Sequence, residues 1–248
     1  MRSTRIYIDM EIAAGTQLVL PAAQSTHLLR VLRLRPGAAL TLFNGRGGEY
    51  RAELAGGGAR ATLQVGPHSP LERESPLQLT LLQGVARGER MDFIVQKATE
   101  LGVQRIVPLS CEFSVVRLEP AALQRRSAHW QAVAVAACEQ SGRNRLPRIE
   151  AVRDFAAVCE PAPVAEQAVA GLRLMLVPQA PVSLAALAAG TGAATLLVGP
   201  EGGLSGREQL LAQRSGFQPC RLGPRILRTE TAPLAALAAL QVLAGDLG

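Results

Sequence analysis

Apolar positions come in short runs separated by turn formers up to residue 66, and then change rhythm. Arg5 to Ile8, Gln17 to Leu20, Leu40 to Phe43, Glu49 to Leu54 and Ala59 to Val65 each read as a strand. Asn44-Gly45-Arg46-Gly47-Gly48 reads as the turn of a hairpin. Gln24 to Leu34 carries Leu28, Val31, Leu32 and Arg35 at helical spacing, and Pro36-Gly37 stops it. Many short strands in so little chain predict a small β-barrel over residues 1–70. Gly66 to Pro76 holds three prolines and mixed charge, and reads as a linker.

Beyond the linker, strands alternate with helices. Leu77 to Gln83, Arg105 to Leu109, Leu172 to Val177 and Thr195 to Val198 are apolar without alternation, as strands covered on both faces are. Glu89 to Leu101 predicts a helix with Met91, Ile94, Val95 and Ala98 on one face and Gly102 as its stop. Pro120 opens a long helix with the stripe Trp130, Val133, Ala134, Ala137 and Cys138. Ser205 and Glu208 form a capping-box start for a helix that ends at Gly216. Leu234 to Leu243 is nearly all apolar. This order predicts an α/β domain with a mostly parallel sheet over residues 75–248. A last helix apolar on nearly every side needs cover on every side, so a homodimer is expected.

Composition narrows the classes. Of the 248 residues 48% are hydrophobic and 19% charged, which excludes a disordered chain. The net charge of +6 favours an anionic partner. Nearly all of the positive charge is arginine, Lys97 being the one lysine; arginine suits bidentate phosphate contacts, and a GC-rich genome accounts for the bias equally well. Cys111, Cys138, Cys159 and Cys220 are far apart, and His27, His68 and His129 are scattered, so no metal site is expected. No signal core and no long apolar run appear, so a reduced, cytoplasmic, soluble protein without a membrane partner is expected.

Two segments carry the candidate chemistry. Leu196 to Ser205 and Leu222 to Ala232 each read as a buried strand, a glycine-containing bend and a helix start. Two such bends at the carboxyl edge of a parallel sheet form the walls of one small-molecule pocket. Gly199-Pro200-Glu201-Gly202-Gly203 is neither a Walker loop nor a dinucleotide fingerprint. Its glycines permit close backbone approach to a flat ligand. In the second bend, Thr229 or Thr231 is expected to cap the final helix. That leaves Arg228 and Glu230, which read as either a salt bridge or functional groups. A third cluster, Glu139-Gln140-Ser141-Gly142-Arg143-Asn144-Arg145, reads as either a solvated basic helix end or an RNA grip.

Lys97-Ala98-Thr99-Glu100-Leu101-Gly102, the Glu139-to-Asn144 cluster, the Gly199-to-Gly203 bend and Leu222 to Ala232 occur in this order. With His27 to Arg33 and Phe43-Asn44-Gly45, the chain resembles over essentially its whole length the RsmE family, 16S ribosomal RNA (uracil-N3)-methyltransferases of the SPOUT superfamily. The resemblance implies a SPOUT-type knotted parallel-sheet domain preceded by a PUA-like β-barrel that helps hold RNA. It implies S-adenosylmethionine bent between Leu176-Val177-Pro178, the stretch Val198, Gly199, Pro200, Glu201, Gly202 and Gly203, and the second bend with Leu222, Gly223, Ile226, Leu227, Arg228 and Thr231. It also implies a dimer, and a substrate uridine in the decoding region of the 30S subunit. Arg30, Arg33, Arg117, Arg143, Asn144 and Arg145 are the RNA contacts expected from it. One departure stands out: related chains generally carry arginine where this one has Phe113.

Uracil N3 carries a proton, so the site must remove it or stabilise the anion that results. Arg228 is the first candidate to stabilise that charge, and Glu230 or Glu139 to accept the proton. Two other readings stay open: a SPOUT enzyme that methylates ribose 2′-oxygen, and a non-catalytic RNA-binding or assembly protein.

Overall fold

The structure is a computed structural model, and it describes residues 4–114, 120–159, 171–188 and 190–248. It divides into two compact units, the first comprising Met1–Glu74 with Cys138–Leu146, the second Ser75–Ala137 with Pro147–Gly248.

The first unit is a five-stranded mixed sheet of β1 (Thr4–Tyr7), β2 (Gln17–Val19), β3 (Ala39–Phe43), β4 (Glu49–Gly57) and β5 (Ala61–Ser69), in the order β1-β3-β4-β5-β2. Alternate residues point inward, so Ile6, Leu40, Leu42, Leu54, Leu63 and Val65 form its own core. The predicted helix is a short α1 (Ala22–Thr26) running into a π-helical turn, His27–Val31, whose Leu28 enters that core. Its end is strained: Arg33 has φ 52°.

The linker expectation needs correction. Gly66 to Ser69 belong to β5, and Pro67 is tolerated because Gly66 and Pro67 together oppose Arg51 in a register shift. A proline has no N–H for the ladder, and a bulge is where a strand can place one.

The second unit carries a parallel sheet of β6 (Gln78–Gly84), β7 (Arg105–Ser110), β8 (Arg148–Ile149), β9 (Arg153–Asp154), β10 (Leu172–Leu176), β11 (Ala193–Val198) and β12 (Gln218–Cys220). Its order is β12-β10-β11-β6-β7-β8, with β9 also on β7. Both faces are covered. Leu79, Leu81, Leu174, Leu196 and Val198 join one core, with Met91, Ile94, Val95 and Ala98 of α2 (Glu89–Glu100) and Ala236, Leu237 and Leu240 of the last helix. Leu82, Val107, Leu109, Met175 and Leu197 join the other, with Ala212 and Phe217.

Helix α3 spans Pro120–Ser141, and α4 (Phe155–Cys159) and α5 (Leu184–Leu187) are short. Helix α6 (Gly206–Arg214) has the expected capping box, and α7 covers Thr231–Ala244. Gln241 of α7 is buried; its side chain accepts from Ser75 Oγ at 2.7 Å and donates to Leu101 O at 2.7 Å. All strand pairs in this sheet are parallel, so the ends of β6, β10, β11 and β12 emerge at one edge. Among the described residues no helix is long and apolar enough to cross a membrane.

Candidate functional site

The first bend leaves β11 at Val198 and is closed by Gly203 N–H donating to Pro200 O at 2.9 Å, with Gly203 at φ 72°. It lies directly on β6. A Cβ at Gly84 would stand 2.5 Å from the backbone nitrogen of Pro200, so only glycine admits the bend there. The second bend is tied to the first by Thr229, whose Oγ1 donates to Gly199 O at 3.0 Å. Behind both sits Gln83, fully buried, its Nε2 donating to Gly84 O at 2.9 Å and lying 3.4 Å from both Gly199 O and Thr229 Oγ1.

The start of α7 explains why Thr229 is available for that task. Neither Thr229 nor Thr231 caps the helix, contrary to expectation; Glu230 holds the cap position without a side-chain bond. The N–H groups of Thr231 and Ala232 both donate to Arg228 O at 2.9 Å, and Pro233 has none to satisfy. The first turn therefore needs no side-chain acceptor.

The bends enclose a cavity of about 520 Å3, within the range of small-molecule sites. Its walls are Leu176, Val177 and Pro178 after β10, Val198, Gly199, Pro200 and Glu201 of the first bend, Cys220 and Arg221, and the second bend with Leu222, Gly223, Arg225, Ile226, Leu227, Arg228, Thr229 and Glu230. Arg90 of α2 completes it, and Ala232 adds one contact from α7.

Arg90 spans the two bends electrostatically. Its Nη1 lies 2.9 Å from Glu201 Oε1, and its Nε 3.7 Å from Glu230 Oε2. Burial pushes the Glu201 carboxyl up, but the Arg87 N–H at 2.9 Å and the Arg90 guanidinium outweigh it and hold the group below the usual range. Glu230 Oε2 is buried and has no hydrogen-bond donor among the described residues. Arg225 and Arg228 are exposed on the cavity and have no described carboxylate in ion-pair range. The Cys220 thiol is pushed up to about 11 by burial, so it stays protonated and is no nucleophile.

Of the expected cofactor contacts, Gly202, Gly203 and Thr231 do not line the cavity. Gly202 instead faces Phe113: a Cβ there would stand 2.7 Å from Phe113 Cβ. Sequence reasoning missed Arg90, Gln83 and the tying role of Thr229. Only the basic character of Arg90 beside Gly88-Glu89, at a helix start after a strand, hinted at the first.

The Glu139 cluster belongs to the first unit. There the Glu139 carboxylate accepts from Tyr7 N–H at 2.9 Å, and Glu139 is not among the cavity residues. Burial pushes its carboxyl up, partly offset by the Tyr7 N–H, His27 and Arg5. Arg143 is 3% exposed and forms a two-pronged pair with Glu74, Nη2 to Oε2 at 2.6 Å and Nε to Oε1 at 3.1 Å. Asn144 is fully buried, its Nδ2 donating to Leu71 O at 2.6 Å and its Oδ1 accepting from Arg5 Nη2 at 2.6 Å. The polar atoms of both are turned inward, onto Glu74, Leu71 and Arg5 of the first unit. Arg30, Arg33 and Arg145 are exposed in the first unit, and Arg117 lies outside the described residues. No group of three metal-ligating side chains occurs among the described residues.

The profile of an RNA methyltransferase domain matches residues 73–241, and that of an RNA methyltransferase PUA domain matches residues 20–64. The chain belongs to the RNA methyltransferase family. It is 31% identical to the ribosomal RNA small subunit methyltransferase E of Buchnera aphidicola subsp. Schizaphis graminum, over 99% of this chain and 98% of that one. With the Synechocystis protein of the same name it shares 34% identity over 96% of this chain and 77% of the relative. The crystal structure of the Neisseria gonorrhoeae protein of that name, bound to S-adenosyl methionine, superimposes with a TM-score of 0.90 at 38% identity over the whole of both chains. Family membership thus accounts for both units: a parallel α/β RNA methyltransferase domain, and before it a PUA-like mixed sheet.

Proposed function

We propose that this chain transfers the methyl group of S-adenosylmethionine to N3 of one uridine in 16S ribosomal RNA, in the decoding region of the 30S subunit. The observation that carries this reading is the cavity between the two tied bends, with an unpaired arginine and an unsatisfied carboxylate oxygen on one wall. The cavity suits the cofactor: it is apolar at Leu176, Val177, Leu222 and Leu227, and Glu201 and Glu230 offer negative charge to a cation. When bound, S-adenosylmethionine supplies a methyl group on a positively charged sulfur. The leaving group is a neutral thioether, so the protein has to manage only the charge on the base.

Glu230 accepts the N3 proton, directly or through water, on the Oε2 that has no donor. As that proton leaves, negative charge spreads onto O2 and O4 of the uracil. Arg228, exposed on the cavity with no described carboxylate in ion-pair range, stabilises that charge. Arg90 holds Glu201 and Glu230 so that both bends keep their places. Exposed Val242 and Leu243 on α7 support a homodimer as the working form.

The test is to incubate the purified protein with labelled cofactor and 30S subunits from a strain lacking the methyl group, then identify the product nucleoside by mass spectrometry. N3-methyluridine is the expected result, and Arg228→Ala should lower turnover by about 100- to 1,000-fold. A 2′-O-methyl product would place the chain among ribose methyltransferases. Failure to bind the cofactor would support a non-catalytic assembly role.

A further inference from the structure

Strand β7 ends at Ser110, and the chain turns at once through Cys111–Ser114. This turn is held at three points. Ser114 N–H donates to Cys111 O at 3.0 Å, Cys111 N–H donates to Ser114 Oγ at 3.0 Å, and Glu112 N–H donates to Glu208 Oε1 at 2.8 Å. Glu208 is itself fixed, because its other oxygen closes the capping box of α6 on Ser205 N–H at 2.8 Å. The remaining residue of the turn, Phe113, has its Cβ pressed over the bare Cα of Gly202 in the first bend.

The backbone of Phe113 is thus anchored on two elements, while the residue stays 47% exposed. A lone exposed apolar side chain needs no explanation. A phenyl ring on a rigid mount, one residue from the cavity wall at Glu201, is different. Arg87, whose N–H binds Glu201, and Arg90 are exposed against the same bend, one residue along from Gly202, and Glu112 beside Phe113 is exposed as well. An exposed aromatic face on an anchored turn, next to a bend contacted by exposed arginines, is an arrangement that stacks the bases of a single-stranded nucleic acid.

We infer that Phe113 is a stacking platform for a nucleobase of the RNA substrate, a positioning contact that uses no charge. The inference rests on the methyltransferase reading above. Phe113 does not line the cavity, so its loss spares the cofactor.

The test uses the full chain with Phe113→Ala, Phe113→Leu and Phe113→Trp, read by methylation of 30S subunits lacking the methyl group and by calorimetry with S-adenosylmethionine. Alanine and leucine should raise KM for the subunit on the order of 5- to 100-fold and leave cofactor affinity within about twofold, whereas tryptophan should stay near the parent. Because no charge is lost, the dependence of KM on salt should keep its slope. Leucine performing as well as phenylalanine would overturn the inference, since an apolar cover for Gly202 would then suffice. So would weakened cofactor binding with an unchanged KM. If the parent protein transfers no methyl group, the proposed activity fails instead, and binding of a fluorescent decoding-region RNA fragment by the same variants still decides whether Phe113 stacks a base.

Discussion

Thr229→Val isolates the contact that joins the two bends. Valine keeps the shape of threonine and removes one hydroxyl. In the parent that hydroxyl donates to Gly199 O at 3.0 Å and lies 3.4 Å from Gln83 Nε2, at a residue only 8% exposed. After the change Gly199 O keeps only the long 3.4 Å approach of Gln83, and Gln83 Nε2 keeps one good acceptor, Gly84 O. A buried polar group left short of a partner costs about 1–3 kcal/mol; Gly199 is half-buried, so the low end, about 1 kcal/mol, applies. For a chain of this size that lowers Tm by about 2–4 °C. Because the same bond sets the distance between the cavity walls, ligand binding must restore it, and cofactor affinity should fall about five- to tenfold. Titration calorimetry with S-adenosylmethionine, beside thermal unfolding, measures both. Thr229→Ser keeps the hydroxyl and should retain affinity. Parent-like binding by the valine variant, or an equal loss in the serine variant, would refute the reasoning.

Other variants probe the remaining structural assignments. Arg143→Ala strands Glu74 and should destabilise the first unit by about 3–5 kcal/mol in urea unfolding; an unchanged midpoint with weakened RNA binding would return Arg143 to the RNA contacts. Glu139→Gln should keep methyl transfer near normal. The raised Glu139 pKa means the carboxyl contributes stability below its unfolded pKa and loses that contribution as pH rises through its folded pKa. The glutamine variant should therefore gain stability relative to the parent across that window, and parallel pH profiles would contradict it. Gly84→Ala drives a Cβ into the backbone at Pro200 and should cost about 1–3 kcal/mol together with cofactor affinity, read by the same calorimetry.

The strand and helix order was legible wherever one signal sufficed. Unalternated apolar runs marked β6, β7, β10 and β11, and the capping box marked α6 to the residue. What escaped was held by partners rather than by pattern. β8, β9 and β12 have two or three residues each and owe their existence to β7 and β10 beside them. Pro219 argues locally against a strand, yet β12 lies at the sheet edge, where a missing N–H is tolerated. Pro108 sits inside β7, in the gap between the stretches paired with β8 and β9.

The candidate site was legible in its walls and misread in its polar groups, for a physical reason. Glycine and proline announce a bend locally, whereas the task of a polar side chain depends on what it meets across the fold. Thr229 finds its acceptor 30 residues away, and Arg143 finds Glu74 69 residues away. From sequence alone, Glu139, Arg143, Glu230 and Arg228 look alike. What separates them is unspent bonding capacity. Arg143 and Asn144 are buried with their polar atoms engaged, so moving either to RNA would leave a buried partner unpaired. Glu139 already accepts the Tyr7 N–H within the first unit and is not among the cavity residues. Glu230 Oε2 has no hydrogen-bond donor among the described residues, only the Arg90 Nε at 3.7 Å, and Arg228 has no described carboxylate in ion-pair range, both on one cavity. Reaction chemistry favours groups with bonding capacity to spare, and on that ground the proposed roles of proton acceptor and charge stabiliser fall to Glu230 and Arg228 on the cavity.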